Sequence, residues 1–232
     1  MMERVNKFLP VYIERVIDYW PRLAESLWET GIMLFFAMIA AILIGLPVGT
    51  LLFLSADGRP NENKVLNRIL NAVVNIIRSF PFLLLVVAMQ PLIREFYGRA
   101  TGDPIAASFP MVVIAIALYS RFVEQSLMDV PQGIIEGAQA MGATTFQLVW
   151  KFMYVEARSS LVIGFTTAVI SFVSYSTIMG VVGGGGIGDF AIRYGYQRYE
   201  TDIMYTAIVI IIILVELFQW LGLRLARKID KR

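Results

Sequence analysis

Neither cysteine nor histidine occurs anywhere in the 232 residues. The first absence removes disulfides and thiolate chemistry, and the two together remove the usual zinc sites, serine-histidine triads and imidazole proton relays. Charge is scarce as well: 16% of residues are Asp, Glu, Lys or Arg, against 57% hydrophobic, and mean hydropathy is +0.67. Soluble domains carry roughly a quarter charged residues. A chain this poor in charge reads as an integral membrane protein. Its 20 basic and 18 acidic residues leave a net charge of +2, too balanced for nucleic acid as a partner. No G-x-x-x-x-G-K-[ST] segment is present, so the chain does not bind ATP in the P-loop manner, and any such hydrolysis belongs to another polypeptide.

What the sequence does contain is apolar runs of membrane-crossing length, which for a helix means about 20 residues. Five qualify. The first extends from Gly31 to about Leu54 and stops at the turn-forming SADGRPNEN. The second covers about Ala72 to Leu92 with Pro81 and Pro91 inside it, breaks that are tolerated where neighbouring helices or cavities satisfy the freed carbonyls. The third runs from about Pro104 to Tyr119 and is expected to continue as helix through SRFVEQSLMDV. The fourth spans about Leu161 to Val182, and the fifth about Ile203 to Leu223.

Residues 1–27 differ in kind. Val5, Phe8, Leu9, Tyr12, Ile13, Val16, Ile17 and Trp20 recur at helical spacing, with Arg4, Lys7, Glu14, Arg15 and Asp18 between them. This pattern predicts an amphipathic helix lying in the membrane interface, and it lacks the apolar stretch and cleavage site of a signal peptide. The expected fold is therefore an all-α integral membrane protein: an N-terminal amphipathic segment over residues 1–27, then a membrane domain over residues 28–232 with five transmembrane helices. Arg224, Arg227, Lys228, Lys231 and Arg232 flank the fifth span and predict a cytoplasmic C-terminus. Five spans then put the N-terminus outside and the loop carrying Arg59, Lys64 and Arg68 inside. Arg4, Lys7, Arg15 and Arg22 work against that bias on the external segment.

Between the third and fourth spans lies PQGIIEGAQAMGATTFQLVWKFMYVEA. Pro131 suits a first helical turn, Ile134, Ile135, Ala138 and Met141 share one face, and Gly142 supplies a left-handed stop. Thr144 followed by Gln147 is a capping-box pair, opening a second helix that carries Leu148, Trp150, Phe152 and Met153. The unit is helix, glycine, helix. As a pattern alone it equally suits any cytoplasmic or re-entrant helical hairpin.

The spacing of this hairpin resembles the EAA loop of ABC-importer permeases. Glu136, Gly137 and Ala138 stand at its Glu-Ala-Ala positions, Gly142 at its glycine, and Phe152, Tyr154 and Val155 at its Ile, Leu and Pro positions. The departures are Gly137 for Ala, Tyr154 for Leu and Val155 for Pro, and the last bears on how sharply the second helix turns into span four. NIIRSFPFLLLV, YSTIMGVVGGGGIGDFAIRYGY and IGLPVGTLLF further resemble the membrane subunits of bacterial methionine-uptake transporters, from about Trp28 to the C-terminus.

The resemblance implies an all-α permease of the bacterial cytoplasmic (inner) membrane, not itself an enzyme, whose hairpin is a cytoplasmic coupling helix. It implies a homodimer with two cytoplasmic ATP-binding subunits and an external substrate-binding protein. No cofactor would bind this chain, ATP and magnesium residing on the partner ATPase. The substrate implied is methionine, in one or both stereochemical forms or as a close analogue, moved inward by alternating access. The coupling residues would be Glu136, Gly137, Ala138, Ala140, Gly142, Ala143 and Thr144: small side chains allow close backbone approach, while Glu136 serves either as a charge for a basic partner or as a cap for a neighbouring helix.

In span four, Ser171, Ser174, Tyr175, Ile178 and Met179 are candidates for lining and closing a pathway on the dimer axis. The plainer alternative is that the hydroxyls bond their own helix carbonyls. Arg78 and Glu216 are intramembrane charges, each explained by snorkelling or by pairing with an opposite charge. Gly183, Gly185 and Gly188 match a G-x-G-x-x-G spacing, but no strand precedes them and no ribose-binding acid follows, so they read as a flexible external turn in which backbones pass closely. The competing functions are a permease for another amino acid or small solute, and a secondary transporter; the latter is disfavoured by the absence of an inverted repeat and of a convincing acid near the midplane.

Overall fold

A computed structural model describes residues 2–230, with side chains for residue 12 and from residue 14 onward. Among these residues every regular element is helical. Helix α1 (Met2–Ala40) passes through a π turn (Ala41–Gly45) into α2 (Leu46–Ser55). Helices α3 (Lys64–Ser79), α4 (Phe82–Tyr97), α5 (Pro104–Met128) and α6 (Gln132–Ala140) follow. Helix α7 (Thr145–Gln147), a second π turn (Leu148–Met153) and α8 (Tyr154–Val181) form one uninterrupted stretch. Last come α9 (Gly186–Phe190), a third π turn (Ala191–Tyr196) and α10 (Thr201–Ile229).

Four stretches are long and apolar enough to cross a membrane: Glu14–Ser55, Pro104–Met128, Thr145–Val181 and Thr201–Ile229. The fifth is the pair α3 and α4. The second expected span is thus two helices rather than one. Pro81 is the cause: its ring disfavours helical backbone at the residue before it, and Phe80 is extended at φ −69°, ψ 129°. Pro91 stays inside α4, where its missing N–H leaves the Val87 carbonyl without its helical partner. The third span does extend past Tyr119, with α5 reaching Met128.

The chain divides into two compact units. The first holds the residues up to Phe36, Phe82–Met111 and Phe172–Glu216. Its core joins Leu23 of α1 to Ile187 and Phe190 of α9 and to Ile203 and Ala207 of α10, with Val16, Tyr19 and Leu27 packed around them. Arg15 pairs with Glu200 at 2.9 Å and Asp202 at 3.0 Å, and Tyr19 donates to Glu200. The N-terminal amphipathic segment is therefore the opening of the same helix as the first span. Of the stripe expected to meet a membrane surface, Val16 packs against this core and the Tyr12 hydroxyl lies 2.7 Å from Thr206 Oγ1, while Ile17 and Trp20 face outward. The stripe positions Val5, Phe8, Leu9 and Ile13, and the basic residues Arg4, Lys7, Lys231 and Arg232, lie outside the described side chains.

The second unit holds Ala37–Pro81, Val112–Ser171 and the residues from Leu217 onward. Leu52, Val74 and Ala117 form its core with Val48, Leu70 and Ile77. Close crossing of α2 and α5 depends on small residues, the usual device of membrane helices: a Cβ on Gly49 would overlap the Ser120 carbonyl. Ser120 Oγ in turn donates to the Gly45 carbonyl at 3.1 Å.

Candidate functional site

The hairpin is built by its own backbone chemistry. Helix α6 begins after Pro131, whose carbonyl accepts from Ile134 N at 3.0 Å. It ends at Gly142, which adopts φ +77° and lets Ala143 N donate to the Ala138 carbonyl at 3.0 Å. Thr144 then caps α7: its hydroxyl accepts from Gln147 N, and the Gln147 carboxamide accepts from Thr144 N at 2.9 Å. Thr145 Oγ1 donates to Asn61 Oδ1 at 3.0 Å, tying the hairpin to the loop between α2 and α3. Removing the cap hydroxyl with Thr144→Ala is expected to cost about 1 kcal/mol, read as faster amide exchange over residues 145–150.

Ile135 and Ala138 are buried, as are Leu148, Val149 and Met153, and α6 packs against the second π turn. The outer side is bare. Gly133, Gly137 and Gly142 have nothing within 4 Å of where a Cβ would stand, and Met141, Phe146 and Trp150 are 73%, 71% and 56% exposed. Neither crowding nor a positive φ requires glycine at 133 or 137, where it costs a helix about 1 kcal/mol relative to alanine. Nothing within the chain recovers that cost. Glu136 stands exposed at a cleft of about 340 Å³ shared with Arg59, Gln132 and Gln139, without a hydrogen bond or ion pair to any other described residue. It caps no neighbouring helix, which leaves the reading as a charge facing outward. On the cleft's rim, the Gly58 amide donates to Glu62 and holds that carboxyl below its ordinary range.

Val155 lies within the uninterrupted helix from Thr145 to Val181. A valine keeps its N–H and spares the carbonyl four residues back, so the chain enters span four without a turn. Along α8 the exposed Ile163, Thr167, Ser174 and Val181 and the half-buried Ser171 and Ile178 follow one another at spacings of four and three, which is a single helix face. Ser171 donates to the Thr167 carbonyl at 3.1 Å, leaving its oxygen lone pairs on that face. Tyr175 points elsewhere, its ring 4.5 Å from that of Phe82. Met179 is 2% exposed, and its carbonyl accepts from Gly184 N at 2.8 Å. Three of the five expected pathway residues, Ser171, Ser174 and Ile178, are brought together.

The glycine loop after α8 does bring backbones close, but it is pinned rather than flexible. Gly186 N donates to Glu29 Oε2 at 2.7 Å and Ile187 N to Thr30 Oγ1 at 2.9 Å. Gly102 N donates to the Gly183 carbonyl at 2.8 Å. Two side chains of α1 thereby serve the free amides at the start of α9.

Sequence reasoning missed a polar row in the second unit. Asn67 donates to the Leu52 carbonyl at 2.8 Å, Asn71 donates to Asn67, and Arg121 donates to Asn71 at 2.6 Å and Asn75 at 2.8 Å while pairing with buried Glu124. The signal was there, an asparagine every fourth residue in NRILNAVVN, but the stretch was divided between the basic loop, which took Asn67, and the second span, which took Asn75. The half-buried Arg121 and buried Glu124 thereby tie α5 to the asparagines of α3. Arg78 and Glu216 are exposed and pair with no opposite charge among the described residues, so snorkelling is the explanation that remains for both.

Long apolar helices and a bent helix pair define a multi-pass membrane protein. The chain belongs to the family of binding-protein-dependent transport system inner membrane components, whose sequence model matches residues 41–231. A probable D-methionine transport system permease protein, MetI of Vibrio cholerae, is 40% identical over 210 residues, covering 90% of this chain and 93% of the relative. The methionine import system permease protein MetP of Bacillus subtilis is 37% identical over 182 residues, 78% and 82% of the two chains. A chain of the MetNI methionine ABC transporter, solved in inward-facing conformations, superposes with a TM-score of 0.89 at 39% identity, over 92% of this chain and 99% of that one.

Proposed function

We propose that this chain is the permease subunit of an ATP-driven importer that carries methionine inward across the cytoplasmic membrane. The relatives named for methionine transport support the substrate. The observation that carries the mechanism is the bare outer side of the hairpin, whose glycines at 133 and 137 answer to no constraint inside the chain. Such a surface suits close backbone approach by a second protein, here a cytoplasmic ATPase subunit. Two copies of the permease would sit on two ATPases and receive substrate from an external binding protein. ATP-driven approach of the ATPases would move the paired hairpins, and through the continuous helix from Thr145 to Val181 the spans, between inward-open and outward-open arrangements. Arg224, Arg227 and Lys228 at the end of α10 support a cytoplasmic C-terminus, and with it a cytoplasmic hairpin. The face of Ser171, Ser174 and Ile178 lines the pathway, with Met179 set behind it.

The test has two parts. Purification in mild detergent is expected to bring down a P-loop ATPase with the permease; a permease that purifies alone and still transports would sink the importer reading. Deleting the chain is expected to abolish high-affinity uptake of labelled methionine. Uptake that is unchanged, or that other amino acids compete equally well, would move the substrate to another small solute.

A further inference from the structure

A second cleft lies within the second unit, between the C-terminal turns of α5 and residues 160–167 of α8. Its volume is about 280 Å³, at the small end for ligand sites and suited to a free amino acid. Phe122, Gln125 and Asp129 contribute from α5 and its end, Ser160, Ile163 and Thr167 from α8. The helices are held at this separation by Gly164, whose Cβ would meet Phe122 Cβ at 3.0 Å.

The chemistry of the lining is asymmetric. Asp129 is its one charged side chain, exposed and without hydrogen bond or ion pair to any other described residue. Ser126 and Thr167 spend their hydroxyl protons on the Phe122 and Ile163 carbonyls, at 2.7 and 3.0 Å, and so present lone pairs. A carboxylate surrounded by acceptors favours a cation of small size. Gln125 and Ser160 retain protons to donate, and Phe122 and Ile163 supply an apolar wall. An α-ammonium, an α-carboxylate and a short apolar side chain match these three features. Thr167 also belongs to the face that continues to Ser171 and Ser174, so the cleft adjoins the pathway row.

We propose that this cleft is a substrate subsite at the cytoplasmic end of the pathway, with Asp129 receiving the ammonium of a zwitterionic amino acid. The proposal rests on the importer reading for its orientation and for its substrate.

The lack of cysteine makes the test direct, because Ser160→Cys is then the permease's single thiol. Inside-out vesicles carrying the whole transporter would be treated with cationic and anionic methanethiosulfonate reagents of equal size, and labelling followed on the permease. The cationic reagent is expected to react roughly tenfold faster, as an uncompensated charge in a cleft enriches its counter-ion. Adding Asp129→Asn should erase that preference. Methionine should slow the labelling severalfold, and 4-(methylthio)butanoate, which has the same thioether chain and carboxylate but no ammonium, should not. Protection by neither compound, or by both equally, overturns the subsite. A Ser160→Cys transporter that labels as expected, alongside a parental transporter that takes up no methionine, would instead overturn the importer reading, so the two failures are distinguishable.

Discussion

A Gly137→Leu permease is expected to accumulate in the membrane at the parental level yet lose at least about tenfold of ATP-driven methionine uptake, a deficit of about 1.4 kcal/mol in the coupled complex. Two opposite effects of one side chain lie behind this result. Inside the chain leucine is welcome: nothing lies within 4 Å of the Cβ position, and in a helix interior leucine is more favourable than glycine by roughly 0.8 kcal/mol. Thermal stability of the isolated permease should therefore hold or rise. Outside the chain the same side chain stands on the bare surface beside Glu136, where it would keep a docking protein at a distance and leave exposed apolar groups such as Phe146 and Trp150 imperfectly covered. Measuring ATPase co-purification, vesicle uptake and permease melting on the same preparation separates the two effects. Parental uptake with the leucine in place would remove the docking role from this face; loss of the folded permease would show that Gly137 has a packing role within the chain.

The hairpin was the most legible part of the molecule because each of its signals is local. Thr144 and Gln147 are three residues apart, Gly142 sits at the αL position, and Ile135 and Ala138 share a face, so spacing alone leads to the observed structure. The extension of α5 to Met128 followed for the same reason. What spacing could not supply was the partner of each apolar face. Val16 read as part of a surface stripe because the core it packs against, which includes Phe190 and Ile203, is far away in sequence. The single helix expected from Ala72 to Leu92 failed at Pro81, where hydropathy outweighed a backbone rule that was readable in advance. Among the candidate pathway residues, Tyr175 and Met179 are as apolar and as well placed along the chain as Ile178. Only the tertiary contacts, Phe82 for one and the glycine loop for the other, separate them from the exposed row. The Asn67, Asn71 and Asn75 series straddled the boundary drawn between the basic loop and the second span, and it went unrecognised because its function depends on Arg121, which lies in another helix.

Gly188→Ala is expected to be the most damaging alanine substitution among Gly183, Gly185 and Gly188, costing more than about 3 kcal/mol and removing the permease from the membrane. The sequence presented Gly183, Gly185 and Gly188 as one motif, yet the structure gives them separate reasons. Gly183 and Gly185 hold φ +75° and +79°. At Gly183 a Cβ would have only Thr101 nearby, at 3.9 Å, so alanine there bears little beyond the left-handed conformation, about 1–2 kcal/mol. At Gly185 the crowding comes from the Glu29 carboxylate, the mobile end of a side chain. Gly188 is different in kind, because its Cβ would overlap the backbone of Thr177, and reciprocally a Cβ on Gly180 would overlap the backbone of Gly188 and Asp189. No rotamer relieves a clash between two main chains. Either α9 lifts off the end of α8, breaking the amide bonds to Glu29 and Thr30, or α8 bends where Met179 is buried. Membrane accumulation and detergent melting of the Gly183→Ala and Gly188→Ala permeases check this ranking. Equal losses would mean that the loop's conformation, and not the backbone crossing, sets its glycine requirement.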